Sequence, residues 1–255
     1  MEAGADAVAL RTDGLTLAIG GAVLVDRVSL AVRRGEFLTL IGPNGAGKTS
    51  FFNLLSGVHR PTGGRIEIGG RDVTASSAAS RARAGLGRSF QTATIYPGLT
   101  VFENVRLAAQ ARGRGNLALW RSALSDPGER GQARRALERV GLTALERKRA
   151  ATLGQGDRRK VELAMLLAGG FDVLLLDEPT AGVSVEEIPA LLEVIKAIHR
   201  DERKTVLMVE HRMDVIGGLS DRLAVMHHAR LLACASPEIV MADRAVQEAY
   251  LGDIL

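Results

Sequence analysis

The sequence predicts an α/β fold in which a mostly parallel sheet is covered by helices, with a small antiparallel β region near the N-terminus and an inserted helical region. Short apolar runs such as EFLTLIG, FDVLLLDE and TVLMVE alternate with helical stretches, which is typical of a parallel sheet covered on both faces. The segment GGRIEIGGRDV alternates with period two and predicts antiparallel strands. Residues 92–168 have mostly helical patterning.

Length and composition are those of an ordinary globular protein. The chain has 255 residues, of which 46% are hydrophobic and 24% are charged, and this length allows one large domain or two small ones. The longest apolar-leaning stretch contains Glu162 and Asp172, so no uncharged run of about 18 residues is available to cross a bilayer. The acidic start, MEAGADAVAL, lacks the pattern of a signal peptide. We therefore expect a cytoplasmic protein.

Cysteine content and charge exclude several functional classes. The single cysteine, Cys234, excludes an internal disulfide and a thiolate-rich metal site, and we interpret it as a small buried hydrophobe. The net charge is +4, but acidic residues lie near most basic clusters and only 4% of residues are aromatic. Because base stacking needs aromatic side chains, a solvated basic surface is favoured over nucleic-acid binding.

The local patterns give the order of the elements. Two strands flank Gly20 and Gly21, and EFLTLIG is followed by PNGAGKTSFFNLLSG, which is typical of a loop and a helix. Within the helical region, ARGRGN and SDPGERG predict surface loops. After this region the strands FDVLLLDE, TVLMVE and RLAVMH alternate with helical stretches.

A phosphate-binding loop follows the strand EFLTLIG. Gly42, Gly47, Lys48 and Thr49 match the pattern G-x-x-x-x-G-K-[ST], between a predicted strand and a predicted helix. The glycines let the backbone wrap a phosphate chain, the lysine neutralises terminal phosphates, and the threonine hydroxyl ligates Mg²⁺. A glycine-rich turn with a chance lysine is the alternative, and both flanking elements argue against it.

Two adjacent carboxylates end the apolar run VLLLDEP. Asp177 and Glu178 emerge together at the carboxyl end of a strand, which is where ligands bind in open α/β sheets. We expect Asp177 to orient Mg²⁺ through water and Glu178 to act as general base toward an attacking water. The alternative for Glu178 is an acid at a helix start before Pro179.

Half of a second phosphate site lies in TLGQGDRRKVELAM. Val161, Met165 and Ala168 have the spacing of a helix with one buried stripe. Gly154 and Gly156 lie just ahead of that stripe, where exposed amides and the helix dipole favour an anion. No lysine or threonine follows to complete the site.

Two further polar residues lie close to predicted strands. His211 follows the apolar strand TVLMVE, from which it can contact a terminal phosphate, although such a histidine is more often a structural group. Gln91, in GRSFQTA, is a neutral amide that can ligate Mg²⁺ and touch the attacking water, and alone it has no diagnostic value.

Together these pieces resemble the ABC transporter ATPases. In chain order, GPNGAGKT, Gln91, LGQGD, LLLDEP, AGVS and His211 are similar to the Walker A motif, Q-loop, signature motif, Walker B motif, D-loop and switch histidine of that family. The resemblance extends from about Gly14 to Gly252. It implies a single P-loop NTPase cassette over residues 1–255, in which an inserted helical subdomain at 92–168 carries the signature motif.

The resemblance implies ATP and Mg²⁺ as cofactors and assigns roles to individual residues. The catalytic group is Glu178, His211 and Gln91, and the metal-holding group is Thr49, Gln91 and Asp177. The implied nucleotide contacts are Ile19, then Gly42, Pro43, Asn44, Gly45, Ala46, Gly47, Lys48, Thr49 and Ser50, and in the signature motif Gly154, Gln155, Gly156 and Asp157.

The half site implies a partner. In ABC ATPases the signature motif of one cassette binds the γ-phosphate of the ATP that is bound to the Walker A motif of another cassette. A chain with one Walker A motif must therefore find a second cassette, either the same chain or a different one. The resemblance also implies membrane permease subunits, an indirect link to an extracytoplasmic binding protein, a location on the inner face of the cell membrane, and no nucleic-acid partner.

The finer resemblance is to the branch that imports branched-chain and other hydrophobic amino acids. It rests on GRSFQTATIYPGLTVFENV, EHRMDVIGGLSDRLAVM and VQEAYLG. Urea and short-amide importers have similar patterns and stay an alternative, as does an ABC ATPase not coupled to amino-acid uptake. The segment after Gln91 is implied to receive a permease coupling helix. Arg88, Tyr96 and Phe102 are candidate contacts there, with ordinary packing or surface residues as an equal alternative.

Three rival functions are disfavoured by the motifs. ABC ATPases of DNA repair or translation usually carry two cassettes or a long coiled-coil insertion, and the sequence has neither. A module that binds ATP but hydrolyses it poorly is suggested by Gly154 and Ile19, yet Glu178 and His211 are intact. A small-molecule kinase would share the phosphate loop but has no use for LGQGD before LLLDEP.

Three positions depart from the family pattern. Gly154 replaces the usual signature serine, and the lost hydroxyl contact is worth about 0.5–1.5 kcal/mol. Ile19 replaces the aromatic residue that stacks on adenine, so we expect weaker and less purine-selective base binding. Ser184 stands where the D-loop usually has Asp or Asn. We expect these changes to affect the rate of ATP turnover more than they affect the assignment to the family.

Overall fold

The chain folds around two β-sheets in the computed structural model, which describes residues 8–89, 95–112, 127–212, 216 and 218–251. The described strands are β1 Val8–Ile19, β2 Ala22–Arg33, β3 Phe37–Ile41, β4 Gly63–Ile68, β5 Arg71–Asp72, β6 Leu86–Arg88, β7 Val173–Asp177, β8 Thr205–Val209, β9 Arg222–His227 and β10 Arg230–Ala235. The described helices are α1 Lys48–Ser56, α2 Ala78–Arg83, α3 Val101–Arg112, α4 Pro127–Arg139, α5 Gln155–Gly169, α6 Ile188–Glu202, α7 Pro237–Ala242 and α8 Arg244–Leu251.

The larger sheet has six strands in the order β10-β9-β3-β8-β7-β6. All neighbouring pairs are parallel except β9 with β10, which is antiparallel. Every residue of β3, β7 and β8 is buried, because their continuous apolar runs are covered on both faces. The carboxyl ends of these parallel strands therefore meet at one edge of the sheet, and the predicted α/β fold is confirmed.

The smaller sheet is antiparallel, with strand order β2-β1-β4-β5. The turn at Gly20 and Gly21 joins β1 to β2, with Ile19 paired to Ala22. Leu15, Leu17, Val25 and Val28 point into a common core with α1 and the larger sheet. The predicted antiparallel region near the N-terminus is therefore present, and β1 begins earlier than its predicted start near Gly14 because VALRT continues the strand.

The chain divides into two compact units. The first consists of Met1–Arg88, Asp172–Glu178 and His199–Leu255, and the second of Ser89–Phe171 and Pro179–Ile198. Both sheets belong to the first unit, whereas the regular elements described in the second are helices. The second unit contains the region 92–168 and also Pro179–Ile198. In neither unit does a described helix combine the length and apolarity that a membrane span needs.

One predicted loop is wrong in the second unit. The segment SDPGERG was expected to be a surface loop, but α4 begins inside it at Pro127. Proline is favoured at the first helical position, where its missing N–H costs nothing, and Glu129 in the first turn complements the helix dipole. The glycine and proline that suggested a loop thus mark a helix start.

Cys234 has the packing role that the sequence suggested. It lies on β10, is partly buried and packs against the main hydrophobic core. The Arg222 guanidinium donates a hydrogen bond to its sulfur at 2.7 Å. Burial raises the pKa of the Cys234 thiol, and the nearby Arg222 charge opposes that rise. A thiol with a raised pKa is a poor nucleophile.

Arg81 links α2 to the carboxyl end of α1 and is 1% exposed. Its guanidinium donates hydrogen bonds to the carbonyls of Leu54, Leu55 at 2.9 Å, Ser76 at 3.2 Å and Thr74 at 3.0 Å. These carbonyls lie in the last turn of α1, where helix carbonyls lack the regular intrahelical partner, and in the loop before α2. One arginine therefore completes the hydrogen bonding of this part of the first unit.

Arg81→Met is expected to lower the free energy of unfolding by about 3 kcal/mol, because several buried carbonyls lose their donor. Urea denaturation followed by circular dichroism measures the change. Arg83→Met is the matched control, since Arg83 is exposed on the same helix and its loss is expected to cost less than about 0.5 kcal/mol. Equal losses for the two variants would contradict the assignment.

Candidate functional site

The loop between β3 and α1 has two backbone positions that only glycine fits. Gly42 has φ 149° and Gly47 has φ 99°, which are conformations that favour glycine. A Cβ on Gly42 would lie 2.2 Å from the Met226 carbonyl oxygen, and one on Gly47 would lie 2.4 Å from the Leu24 carbonyl oxygen. Neither backbone position has room for a side chain. No side chain caps the start of α1, so its first-turn amides are available to an anion.

Lys48 is the first residue of α1 and its side chain is buried. The ammonium donates hydrogen bonds to the carbonyl oxygens of Gly42 at 2.6 Å and Pro43 at 2.8 Å. Burial lowers the pKa of Lys48, while the negative charges of Glu178 and Asp177 oppose part of that shift. The predicted lysine and the two predicted carboxylates are therefore close enough to interact electrostatically.

Glu178 and His211 meet at the carboxyl edge of the larger sheet. Glu178 follows β7, and its backbone N–H donates to the Val209 carbonyl of β8 at 3.0 Å. His211 follows β8 and its Nδ1 lies 3.9 Å from a Glu178 carboxylate oxygen. Glu178 has φ 46°, a conformation uncommon for residues other than glycine and concentrated at functional sites. His211 is 54% exposed, so it is accessible to a ligand.

Glu210 fixes the chain at His211. Its side chain is 0% exposed, and its carboxylate accepts hydrogen bonds from the backbone N–H groups of His211 at 2.9 Å and Arg212 at 3.3 Å. The same carboxylate oxygen lies 3.8 Å from His211 Nδ1. The sequence analysis missed this residue, although its place directly before the histidine in VEH was a usable signal.

Arg88 forms an ion pair with Asp177. The two side chains are 7% and 1% exposed, and Arg88 Nη2 donates to Asp177 Oδ2 at 2.7 Å. The sequence analysis gave Arg88 as a candidate permease contact with ordinary packing as an equal alternative, and the structure buries its side chain beside Asp177. The cause is the sheet order, because β6 pairs directly with β7.

The predicted half site lies at the start of α5 in the second unit. Gly154 is the N-cap, no side chain caps the helix, and Asp157 is in the first turn. A Cβ on Gly156 would lie 2.9 Å from the Glu187 carboxylate, so that carboxylate already faces the positive end of the helix. The predicted helix after the two glycines is present.

Comparison with known proteins decides the family. A family model described as ABC transporter matches residues 25–181, and one described as branched-chain amino acid ATP-binding cassette transporter matches residues 230–254. The chain belongs to the ABC transporter family. The predicted family is confirmed, and like the other cassettes of this family the chain is a nucleotide-binding ATPase.

Relatives of this ABC cassette match it over almost its whole length. The high-affinity branched-chain amino acid transport ATP-binding protein LivG of Salmonella typhimurium (strain LT2) is 36% identical over 251 residues, covering 96% of this chain and 98% of LivG. BraF of Pseudomonas aeruginosa, with the same description, is 35% identical with the same coverage. A crystal structure of the ADP conformation of an ATP-binding cassette of an ABC transporter has a TM-score of 0.85 at 27% identity, covering 96% of this chain and 99% of that one.

The D-loop of the cassette is tied to α5 within the second unit. Arg159 pairs with the buried Glu162 at 2.9 Å and donates to the Ala181 carbonyl at 3.4 Å. Ser184, in the D-loop position, donates to a Glu187 carboxylate oxygen at 3.0 Å. The serine that departs from the family pattern therefore positions the acid that faces Gly156.

The structure describes Ile19 but does not describe Gln91. Ile19 ends β1 and is 51% exposed, so its side chain can meet a base from solvent. Gln91 lies outside the described residues. Among the candidate permease contacts, Tyr96 is exposed, and Phe102 is half-buried beneath the guanidinium groups of Arg130 and Arg134.

The cassette has oxygen donors that suit Mg²⁺. Thr49 is exposed at the start of α1 and Asp177 ends β7, and hydroxyl and carboxylate oxygens are the ligands that hard cations prefer. The described residues contain no cluster of three or more His, Cys, Asp or Glu that could hold a metal. A threonine hydroxyl and an aspartate carboxylate fit a hard cation that takes its remaining ligands from phosphate oxygens and water.

Proposed function

We propose that this cassette is the ATP-hydrolysing subunit of an importer for branched-chain or other hydrophobic amino acids. The observation that carries the proposal is the convergence of Lys48, Asp177, Glu178 and His211 at one sheet edge beside a glycine cradle. The substrate class is supported by the match of residues 230–254 and by the printed functions of LivG and BraF.

Each residue of the convergent site has a distinct role in the proposal. The backbone from Gly42 to Gly47 wraps the phosphates, with Lys48 neutralising the terminal ones and Ser50 flanking them. Thr49, Gln91 and Asp177 hold Mg²⁺, which neutralises charge on the phosphates. Glu178 takes a proton from the attacking water, and Gln91 and His211 contact the water and the γ-phosphate. Ile19 contacts the base.

A second cassette completes the site. The start of α5, with the backbone amides of Gly154, Gln155 and Gly156, receives the γ-phosphate of ATP held by that cassette, because uncapped helix starts favour anions. Glu187 must turn away for this to occur, since its carboxylate lies where a negative group would approach Gly156. The second cassette is either a second copy of this chain or a different ATPase.

Transport requires membrane partners. In the proposal the cassette lies on the inner face of the cell membrane against permease subunits, which take substrate from an extracytoplasmic binding protein. Tyr96, exposed in the second unit, is a candidate contact with the permease. The permease and binding protein choose the substrate, so the ATPase itself supplies only the energy.

Uptake of labelled amino acids by the source organism tests the substrate class. Deletion of the gene is expected to lower uptake of labelled leucine, isoleucine and valine, and wild-type protein in trans should restore it. Glu178→Gln should not restore it, because the variant lacks the proposed general base.

Labelled urea and acetamide are the controls in the same cells. Their uptake is expected to stay unchanged in the deletion strain. A fall in urea or acetamide uptake with unchanged leucine uptake would contradict the amino-acid proposal and favour the amide branch. Unchanged uptake of every probe would contradict an importer function for these substrates.

A further inference from the structure

Arg88 is held from two sides by the phosphate-loop helix and by β7. Its Nη1 donates to Asn53 Oδ1 at 2.7 Å and to Ser56 Oγ at 2.8 Å, both on α1. Its Nη2 donates to Asp177 Oδ2 at 2.7 Å. The guanidinium also lies 5.8 Å from the centre of the Phe52 ring. These contacts fix a long side chain in one orientation.

The position of Arg88 in the fold explains this arrangement. It ends β6, where its backbone pairs with Leu175 of the parallel strand β7. Its side chain therefore reaches the same sheet edge as Asp177, and it touches the helix that begins with Lys48 and Thr49. Arg88 is therefore a rigid link between α1 and the Asp177 carboxylate.

We propose that Arg88 is a positioning residue for Asp177 and sets how strongly Mg²⁺ tightens nucleotide binding. The inference rests on the proposed role of Asp177 in holding Mg²⁺. Groups that orient a metal-holding carboxylate are worth 10–100-fold in metal affinity. Arg88 acts through Asp177 and does not itself contact the nucleotide in the proposal.

The guanidinium shape matters as much as its charge. A planar fork donates to Asn53, Ser56 and Asp177 simultaneously, whereas a lysine ammonium is a point charge on a flexible stem. Arg88→Lys therefore keeps the charge of the site and removes the geometry that orients Asp177. This substitution separates positioning from electrostatics.

Arg81 provides a matched control for the loss of a buried guanidinium. It also binds α1, through the carbonyls of Leu54 and Leu55, but within the described part of the chain its side chain donates only to backbone carbonyls. Arg81→Lys perturbs the same helix without touching the carboxylate edge.

Equilibrium titration with a fluorescent ATP analogue tests the proposal. The background is Glu178→Gln, which prevents hydrolysis, and each Kd is measured in EDTA and in Mg²⁺. In Arg88→Lys the Kd in EDTA is expected to stay within about twofold of that of the Glu178→Gln protein. The gain in affinity from Mg²⁺, which is the ratio of the Kd in EDTA to the Kd in Mg²⁺, is expected to fall about tenfold. Arg81→Lys is expected to keep the full gain. Titration with Mn²⁺ followed by electron paramagnetic resonance should show the same loss of metal affinity in Arg88→Lys.

Several outcomes would overturn the inference. An unchanged Mg²⁺ gain in Arg88→Lys would make Arg88 a packing residue only. Equal losses of affinity for the ATP analogue in EDTA and in Mg²⁺ would show that Arg88 affects binding of the nucleotide itself and not the contribution of the metal. Asp177→Asn tests the proposed function separately, because it should abolish the gain. A full gain in Asp177→Asn would refute the metal role of Asp177, and the role of Arg88 with it.

Asn53→Ala keeps the test decisive if Arg88→Lys does not fold. It removes one anchor of the guanidinium and leaves the Arg88–Asp177 pair chemically intact. The Mg²⁺ gain is expected to fall about threefold, less than in Arg88→Lys, because one of the fixed contacts is lost. A full gain in a folded Asn53→Ala protein would count against positioning.

Discussion

Glu178→Gln is expected to lower ATP turnover about 10³-fold, because general-base catalysis contributes about 10²- to 10⁴-fold. Glu178 has a left-handed backbone, with φ 46°, and its N–H donates a hydrogen bond to the Val209 carbonyl of the neighbouring strand. Its carboxylate lies 3.9 Å from His211 Nδ1. Glutamine preserves the shape of the side chain but cannot accept the proton of the attacking water. Phosphate release measures the change.

The control for this variant is Glu193→Gln. The Glu193 side chain is 68% exposed and pairs with Lys196 on the surface of α6, so turnover is expected to stay within about twofold of wild type. Wild-type turnover in Glu178→Gln would contradict the assignment and show that another group takes the proton.

The same variant reports on the second cassette. Because ATP is bound but not hydrolysed, light scattering on a sizing column is expected to show an ATP- and Mg²⁺-dependent dimer. The dimer would mean that the start of α5, with glycine at position 154, completes a site on a second copy. A persistent monomer that binds ATP would contradict a self-sufficient homodimer and favour a different partner cassette.

Local patterns account for the parts of the site that the sequence predicted. The glycines and Lys48 of the phosphate loop are contiguous, and Asp177 and Glu178 directly follow an apolar run. Their positions depend on a strand, a loop and a helix start, each of which is encoded by its own residues. His211 was predictable for the same reason, since it lies two residues after a strand of the same sheet.

The ion pair of Arg88 with Asp177 could not be predicted in this way. The two residues are 89 positions apart, and they meet only because β6 is the neighbour of β7 in the sheet. Strand order is a property of the whole fold, whereas periodicity reports only the faces of one element. The family resemblance made Arg88 a candidate permease contact, with packing as an equal alternative, and it gave no sign of the pairing with Asp177. Buried Glu210 was missed because its role depends on where the chain turns after β8.

The start of α4 was missed for a different reason. Proline and glycine in SDPGERG are common in loops, but proline is also favoured at the first position of a helix. The residues after Pro127 decide between the two, and Ala133, Ala136 and Leu137 supply the buried face. Their three- and four-residue spacing is visible in the sequence and favours a helix over the loop that the turn residues suggest.

Lys48→Met is expected to raise the Kd for ATP about 100-fold. The Lys48 ammonium donates to the carbonyls of Gly42 and Pro43, so it holds the loop and also provides its positive charge. Burial lowers its pKa, whereas bound phosphates bring negative charge that favours the protonated form. Methionine removes a charged hydrogen-bond donor, worth about 1.5–3 kcal/mol, and 100-fold in affinity corresponds to about 2.8 kcal/mol. Titration with a fluorescent ATP analogue measures the Kd.

Two comparisons decide what a loss of ATP affinity in Lys48→Met means. Lys196→Met removes a surface ammonium that is paired with Glu193 on α6. Its Kd for ATP is expected to equal that of wild type, because Lys196 is not one of the proposed nucleotide contacts. Urea denaturation of Lys48→Met separates lost binding from lost folding. An affinity within threefold of wild type in a folded Lys48→Met protein would contradict the prediction. Phosphate binding would then depend on the backbone amides between Gly42 and Gly47, since those amides are present whatever the side chain at position 48.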